Sequence, residues 1–205
     1  MQPFDHHSNK KRDIIKRYNS TSVHYNNRYA KIQNQKYDYF IKYIPIGSKI
    51  ILDAGSGTGL LMPYLLKIIN PSRLKPFFYV GIDISLNMLK IAKKKSFEIE
   101  ENERFALILA DLENMPIRNE SFNIIFSITS LQNLHDMEKG IKEIIRTSKI
   151  ESVLLISVLK KTVNQEKIIS ILHPYCNALK VMDNRDIEDY LISGKIVKKL
   201  SNHYL

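Results

Sequence analysis

Three aspartates stand at the ends of three short apolar runs, and alternating glycines follow the first of them. Asp53 closes Lys49-Ile-Ile-Leu-Asp53, and Gly55, Gly57 and Gly59 come next. Glycine tolerates left-handed backbone and lets main-chain N–H groups approach a ligand closely, so a loop of this kind that opens a helix suits a nucleotide-type ligand. Asp83 closes Phe77-Phe-Tyr-Val-Gly-Ile-Asp83, about one crossover helix later, where a βαβ unit carries a carboxylate for ribose hydroxyls. Asp111 follows Phe105-Ala-Leu-Ile-Leu-Ala110. Ligands of an open parallel sheet sit outside the carboxyl ends of its strands, so Asp53, Asp83 and Asp111 are expected to converge on one crevice. The plainer reading of Asp83 and Ser85 is helix capping, since both precede an apolar-periodic segment from Leu86 to Lys95.

The glycine spacing narrows the ligand. A dinucleotide fingerprint, G-x-G-x-x-G, needs glycine where this chain has Leu60, and no Gly-Lys-Ser/Thr follows as a P-loop requires. Asp53 would repel a pyrophosphate and suits a cationic ligand lying across the strand tips. The arrangement resembles motif I, D-x-G-x-G-x-G, of the S-adenosylmethionine-dependent methyltransferases with a Rossmann-like fold. The segment from Asp111 to Pro116 and on through Phe122-Asn-Ile-Ile-Phe-Ser-Ile128 is similar to that family's D-x-x-x-L-P-F and S-F-D-x-V region. Met115, Ile117 and Asn123 are the departures. Tyr18-Asn-Ser-Thr-Ser22-Val-His-Tyr25-Asn26 resembles the Y-D-x-x-A-x-x-Y-D start of the quinone and related small methyltransferases, the type 11 group, with Asn for Asp and Ser for Ala.

That resemblance implies S-adenosyl-L-methionine as cofactor. It assigns Asp53, Ala54, Gly55, Gly57, Gly59, Asp83, Ile84, Asp111, Leu112 and Ser127 to its binding, with Asp83 on the ribose, Asp111 on the adenine amine and the Leu112 main chain at the ring edge. It makes the N-terminal segment a lid with a tyrosine, Tyr25, near the sulfonium. Methyl transfer asks little of protein side chains: the enzyme aligns a nucleophile with the methyl group, excludes water, and needs a base only where the acceptor must lose a proton. His135, in Thr129-Ser-Leu-Gln-Asn-Leu-His135-Asp136, is the candidate base because an imidazole exchanges protons near neutral pH. Asp136 would orient it, or would cap the helix from Met137 to Ser148; a surface loop histidine is the bland alternative. Methyltransferases of exocyclic and amide nitrogens carry [DN]-P-P-[YF] where this chain has Ser127-Ile-Thr-Ser130, which argues against such targets and leaves oxygen, carbon and carboxylate acceptors.

The elements that must hold these residues alternate between strand and helix patterns. Ser152-Val-Leu-Leu-Ile-Ser-Val158 reads as a fifth strand and Val163 to Leu172 as a helix stopped by Pro174. Leu179 to Met182 and Glu188 to Ile192 read as two short strands, which the resemblance makes an antiparallel hairpin. The fold class expected is therefore α/β: a Rossmann-like, doubly wound, mostly parallel seven-stranded sheet with helices on both faces and an antiparallel C-terminal hairpin. With 205 residues, 44% of them hydrophobic, and neither internal repeat nor linker, the chain reads as one domain, 46–205, with residues 1–45 as a helical lid packed on it. Tyr29 to Tyr43 has the spacing of an amphipathic helix, with Tyr37, Phe40 and Ile41 on its buried face.

Composition bounds the setting. No apolar run reaches the roughly 18 residues of a membrane span and the N-terminus lacks a secretory h-region, so no stable membrane insertion is expected. One cysteine, Cys176, makes no internal disulfide, reads as a core residue, and suits a cytoplasmic location. The net charge of +10, with Lys10, Lys11, Arg12, Lys16 and Arg17 near one end and Lys195, Lys198 and Lys199 near the other, admits RNA as well as a small-molecule acceptor. An RNA substrate would bring in a possible small activating protein partner. Membrane-surface contact through the basic N-terminus is a third possibility, a non-catalytic methyltransferase-like binding module a fourth. Lysine is abundant throughout, and Lys93-Lys-Lys95 reads as a cluster complementing a helix C-terminus.

Overall fold

Successive residues of a strand face opposite sides of its sheet, and β1 (Ile50–Ala54) feeds two cores in this way. The computed structural model describes residues 6–45, 49–68, 77–97 and 105–197, with side chains at all of these except 6–9, 23–28, 68 and 97. Helix α1 (His6–Phe40) precedes β1. After β1 come α2 (Leu61–Ile68), β2 (Phe78–Asp83), α3 (Leu86–Phe97), β3 (Phe105–Leu109), β4 (Phe122–Ile128) and α4 (Met137–Thr147). β5 (Ser148–Leu159), α5 (Gln165–Leu172), β6 (Cys176–Met182) and β7 (Asp189–Ile196) complete the order.

The strands form one seven-stranded sheet in the order β3-β2-β1-β4-β5-β7-β6. β1 to β5 pair in parallel, while β7 runs antiparallel to both β5 and β6. The chain turns back at β1, with β2 on one side and β4 on the other, and that switch point opens a crevice at the strand ends. The doubly wound sheet with its antiparallel C-terminal hairpin matches the expected fold class. On one face, Ile51, Tyr79, Ile124, Phe126 and Leu155 pack with Leu61 and Leu65 of α2 and Tyr37 and Phe40 of α1. On the other, Leu52, Val80, Ile125, Leu154 and Ile156 pack with Ile141, Ile144 and Ile145 of α4 and Ile168 and Leu172 of α5.

Several elements outrun their sequence signals. No Gly or Pro interrupts His6 to Phe40, so α1 is one 35-residue helix rather than a segment starting at Tyr29, and it ends in a 3₁₀ turn, Ile41–Tyr43, ahead of Pro45. β5 begins at Ser148 because that residue already pairs with Phe122 of β4. β6 is longer than its apolar core because the outer strand is largely exposed and is held by pairing with β7, so Asn177 and Lys180 sit in a strand that hydropathy alone truncates, and β7 runs on past Ile192 to pair with its start. Cys176 is buried in the α4–α5 core, where burial pushes its thiol up to about 12.

Ile144 is fully buried between α4 and the sheet. Ile144→Ala is expected to lower unfolding stability by about 2–4 kcal/mol, read as a lower denaturant midpoint at unchanged slope, because the cavity cannot collapse within a packed layer.

Candidate active site

The glycine loop owes its shape to β2. The main-chain N–H groups of Gly55 and Ser56 both donate to the Ile82 carbonyl, at 2.8 and 2.9 Å. The N–H of Gly57 donates to Asp83 Oδ2 at 2.8 Å, and the N–H of Ser85 donates to Oδ1 of the same carboxylate at 2.7 Å. Gly55 and Gly57 have φ of +84° and +54°, conformations that side chains resist. A Cβ on Gly55 would lie 2.4 Å from the Ser130 Cβ, so the loop can meet the end of β4 only without a side chain there, whereas a Cβ on Gly57 would meet nothing within 4 Å.

Beside the loop lies a cleft of about 700 Å³, its open mouth included. Gly55, Gly57, Asp83 and Asp111 line it, with Ile84, Met88 and Leu112 as apolar walls. Ile128, Thr129, Ser130, Asn133, Leu134 and His135 line it too. Burial raises the Asp83 carboxyl above its ordinary range, against its hydrogen bonds from Ser85 and Gly57. Ser85 caps α3 through a bond from the Met88 N–H to its hydroxyl, so the capping reading holds for Ser85, and Asp83 supports the turn before it.

Two of the three acids meet at the cleft and the third does not. Asp53 is 3% exposed and accepts a hydrogen bond from the Tyr79 hydroxyl at 2.5 Å, behind the loop and outside the cleft lining. The reason is position along the strands: Asp53 lies within the β1–β2 pairing, opposite Gly81 and on the strand face of Ile51 in the layer beneath α1 and α2, whereas Asp83 lies past the last pair, Ala54 with Ile82, at the tip of β2. Burial pushes its carboxyl up to about 7, opposed by the Tyr79 hydrogen bond and assisted by the nearby charge of Asp83. Ala54 is fully buried, and its carbonyl accepts from the Ser130 hydroxyl at 2.8 Å. Ser127 is fully buried with its hydroxyl 2.6 Å from that of Ser130. Gly59 packs against α3, where a Cβ would lie 3.0 Å from that of Ala92.

Helix α1 crosses the cleft and contributes Lys11, Ile14 and Tyr18 to its lining. The Lys11 ammonium pairs with Asp111 Oδ2 at 2.6 Å and with Glu113 Oε2 at 2.8 Å. Glu113, 3% exposed, also accepts from the main-chain N–H groups of His135 and Asp136 through Oε1, so one buried carboxylate ties the helix to the loop after β4. The Asn133 side-chain amide donates to the Tyr18 hydroxyl at 2.8 Å, and Asn19 Oδ1 accepts from the Ser85 hydroxyl at 2.6 Å. Burial raises the Tyr18 phenol above its ordinary range.

These contacts revise the sequence reading at several residues. Lys10 donates to the Leu134 carbonyl and Lys11 is turned inward, so two members of the basic run hold the helix in place. Asp136 caps α4, accepting from the Lys139 N–H at 3.0 Å. Tyr25 lies on α1, but its side chain is outside the described residues, as are Lys198 and Lys199. Glu113, Ser130 and Asn133 escaped notice because no spacing marks them; one residue, Leu112, separates Glu113 from Asp111, and only the turn there makes both reach Lys11.

Residues 52–156, just over half of the chain, match the family profile described as Methyltransferase domain. The chain belongs to this methyltransferase family. It is 28% identical over 152 residues to a malonyl-[acyl-carrier protein] O-methyltransferase of Marinomonas sp., covering 74% of this chain and 53% of that protein. It is 31% identical over 112 residues to a ubiquinone/menaquinone biosynthesis C-methyltransferase of Rickettsia massiliae, covering 55% of this chain and 45% of that one. The methyltransferase chain thus spans about half the length of the curated relatives it matches. Among solved structures, the magnesium protoporphyrin IX methyltransferase of Synechocystis PCC 6803 with bound SAM superposes with a TM-score of 0.72 at 15% identity, covering 97% of this chain and all of that one, a likeness of fold.

The buried Asp53 carboxyl gives a pH dependence of known sign. An unfolded aspartate titrates near 3.9, roughly, so between about pH 4 and pH 7 the folded protein holds a proton there that the unfolded chain has released, and stability falls as pH rises through that window. Asp53→Asn removes the charge and retains an acceptor for Tyr79. Thermal melts are expected to show the variant gaining on the parent protein, by on the order of a few kcal/mol, as pH rises from about 4 to 7 and levelling above it. A difference independent of pH would contradict this origin.

Proposed function

We propose that this chain binds S-adenosyl-L-methionine in the cleft beside the glycine loop and transfers its methyl group to an oxygen, carbon or carboxylate of a small-molecule acceptor. The observation that carries the proposal is an apolar slot, Ile84, Met88 and Leu112, with the carboxylates of Asp83 and Asp111 lining the same cleft at the tips of neighbouring strands. A planar base with a diol on one side and an amine on the other fits such a slot: apolar contact holds its faces and charged acceptors hold its polar edges. Gly57 leaves open space toward it.

Asp83 would accept from the ribose hydroxyls while its oxygens keep their main-chain bonds, since each carboxylate oxygen takes more than one donor. Asp111 would accept from the adenine amine beside Lys11, with the Leu112 main chain at the ring edge. Gly55, Ala54 and Ser127 act beneath, by letting the loop, β1 and β4 close against each other, and Gly59 by letting α3 approach the loop. Asp53 supports the loop from behind. The cofactor, once bound, supplies a methyl group already activated by the sulfonium. Residues 1–45 are read as a lid: α1 with Ile14 and Tyr18 shields the reacting atoms from water, and Tyr25 adds to that shield. His135, on the cleft wall, would take the proton from an acceptor that must lose one.

The acceptor end, with Ile14, Ile128 and Leu134, favours a small and partly apolar molecule. RNA is the second reading, because Arg12, Lys16 and Arg17 stay exposed on the outer face of α1. A small activating protein partner belongs to that reading. A cytoplasmic setting accords with the single cysteine, and among the described residues no helix is long and apolar enough to cross a membrane.

Asp83→Ala is expected to weaken S-adenosylmethionine binding by about 1.5–3 kcal/mol in calorimetry, through loss of a charged acceptor; unchanged affinity would overturn its assignment. Incubation with labelled cofactor and two extracts, total RNA and lipid-soluble metabolites, is expected to label the metabolites. Label in RNA, with RNA affinity falling steeply as salt rises, would replace the small-molecule assignment by the second reading.

A further inference from the structure

Lys36, near the far end of α1, is 2% exposed and takes no part in the chemistry proposed above. Its ammonium pairs with Asp189 Oδ1 at 2.9 Å, the Asp189 side chain being 1% exposed, and donates to the Thr129 hydroxyl at 2.6 Å. That hydroxyl in turn donates to Asp189 Oδ2 at 2.9 Å and lies 3.2 Å from the Ser157 hydroxyl. Three elements distant in sequence, the lid helix, the end of β4 and the start of β7, thus meet at one lysine.

A buried ion pair is a poor way to gain stability, because the cost of removing both charges from water consumes most of their attraction, and an apolar pair of similar volume does as well or better. Burial is the larger influence on Lys36 and lowers its pKa against the pull of Asp189. What the pair supplies is direction. Thr129 has φ of +56°, a left-handed conformation that a β-branched residue rarely adopts and that persists only where its surroundings over-determine it. Here its N–H donates to the Ser157 carbonyl at 2.9 Å and its side chain is held by Lys36 and Asp189.

The consequence reaches the cleft. Thr129 lines it, and the turn at Thr129 directs the chain into Ser130, Asn133, Leu134 and His135, which line it as well. The Thr129 carbonyl accepts from the side-chain amides of Gln132 at 2.7 Å and Asn133 at 3.3 Å, and Asn133 also donates to Tyr18, back on α1. Lys36 and Tyr18 are about 27 Å apart along the helix, at about 1.5 Å per residue. One helix therefore grips the acceptor wall from below through Lys36 and closes over it through Tyr18.

Resting on the methyltransferase reading, we propose that Lys36 is a positioning residue: through Asp189 and the Thr129 hydroxyl it holds segment 129–135 in the conformation that forms the acceptor end of the cleft. It touches neither cofactor nor acceptor. The cofactor end, built on Gly57, Asp83 and Asp111, does not depend on it.

The test compares Lys36→Met/Asp189→Val, which removes both charges together, with Thr129→Val, which removes only the hydroxyl and keeps the branched shape. Thr129→Ser, which retains the hydroxyl, is the rescue. In each variant that melts cooperatively, native-state hydrogen exchange of residues 129–135 is expected to quicken at least about tenfold while β5 and α4 exchange as in the parent, and Thr129→Ser is expected to restore protection. S-adenosylhomocysteine affinity by calorimetry is expected to stay within about threefold, and methyl transfer to the labelled extract fraction at saturating cofactor to fall at least about tenfold. Unchanged protection at 129–135 in a folded variant, or loss spread evenly over the molecule, would overturn the proposal. Failure of the parent protein to bind S-adenosylhomocysteine would count against the methyltransferase reading itself, since the exchange measurement needs no ligand.

Discussion

The Asp83 carboxylate is the contact on which the arrangement of the cleft depends. It stands at the end of β2 and takes the N–H of Gly57 on one oxygen and that of Ser85 on the other. The glycine loop and the start of α3 are two segments with unpaired main-chain donors, and neither could sit against the strand tips without an acceptor. One carboxylate serves both, with the Ile82 carbonyl taking the N–H groups of Gly55 and Ser56 and the Ser56 carbonyl that of Gly59. Burial disfavours the charge on Asp83 and raises its pKa, and the main-chain donors oppose that rise. The same side chain lines the cleft, so what shapes the loop also forms part of the cleft wall.

Helix α1 is held by charge and hydrogen bonds at the cleft and by packing below it. At the cleft, Lys11 bridges Asp111 and Glu113, Tyr18 meets Asn133, and Asn19 meets Ser85. Lower down, Tyr37 and Phe40 enter the core beneath β1 and β4. Contacts at the upper end are polar and partly solvated, hence weak singly and sensitive to ionic strength, whereas the lower end is anchored by apolar burial and by Lys36.

The family was legible from few residues. Asp53, Gly55, Gly57 and Gly59, with Asp83 and Asp111 at the expected intervals, led to the fold class and to the same strand tips that the structure brings together. These are local signals: an apolar run, a breaker, an acid, and the chain distance of a crossover helix. Strand β4 matches its apolar run end to end for the same reason. Where the signal was one of hydropathy alone it stopped short, at the exposed strand β6 and in the polar first half of α1, because an element with one solvated face carries half of its pattern in polar residues.

Sequence by itself determined the order of strands and helices, the loop that joins β1 to α2, and the presence of acids at three strand ends, since each follows from neighbours in the chain. Only the tertiary structure decided which of those acids faces the cleft. Asp53 and Asp83 look alike as strand-end aspartates and share a face of the sheet, but register sets Asp53 opposite Gly81 within the β1–β2 pairing and carries Asp83 past its last pair, Ala54 with Ile82, and that sends Asp53 to Tyr79 and Asp83 to the loop. The same holds for Lys11 and Lys36, two lysines among many in a chain of net charge +10. Their partners, Asp111 and Glu113 for one and Asp189 and Thr129 for the other, lie about a hundred residues away or more, at separations that only the folded sheet closes.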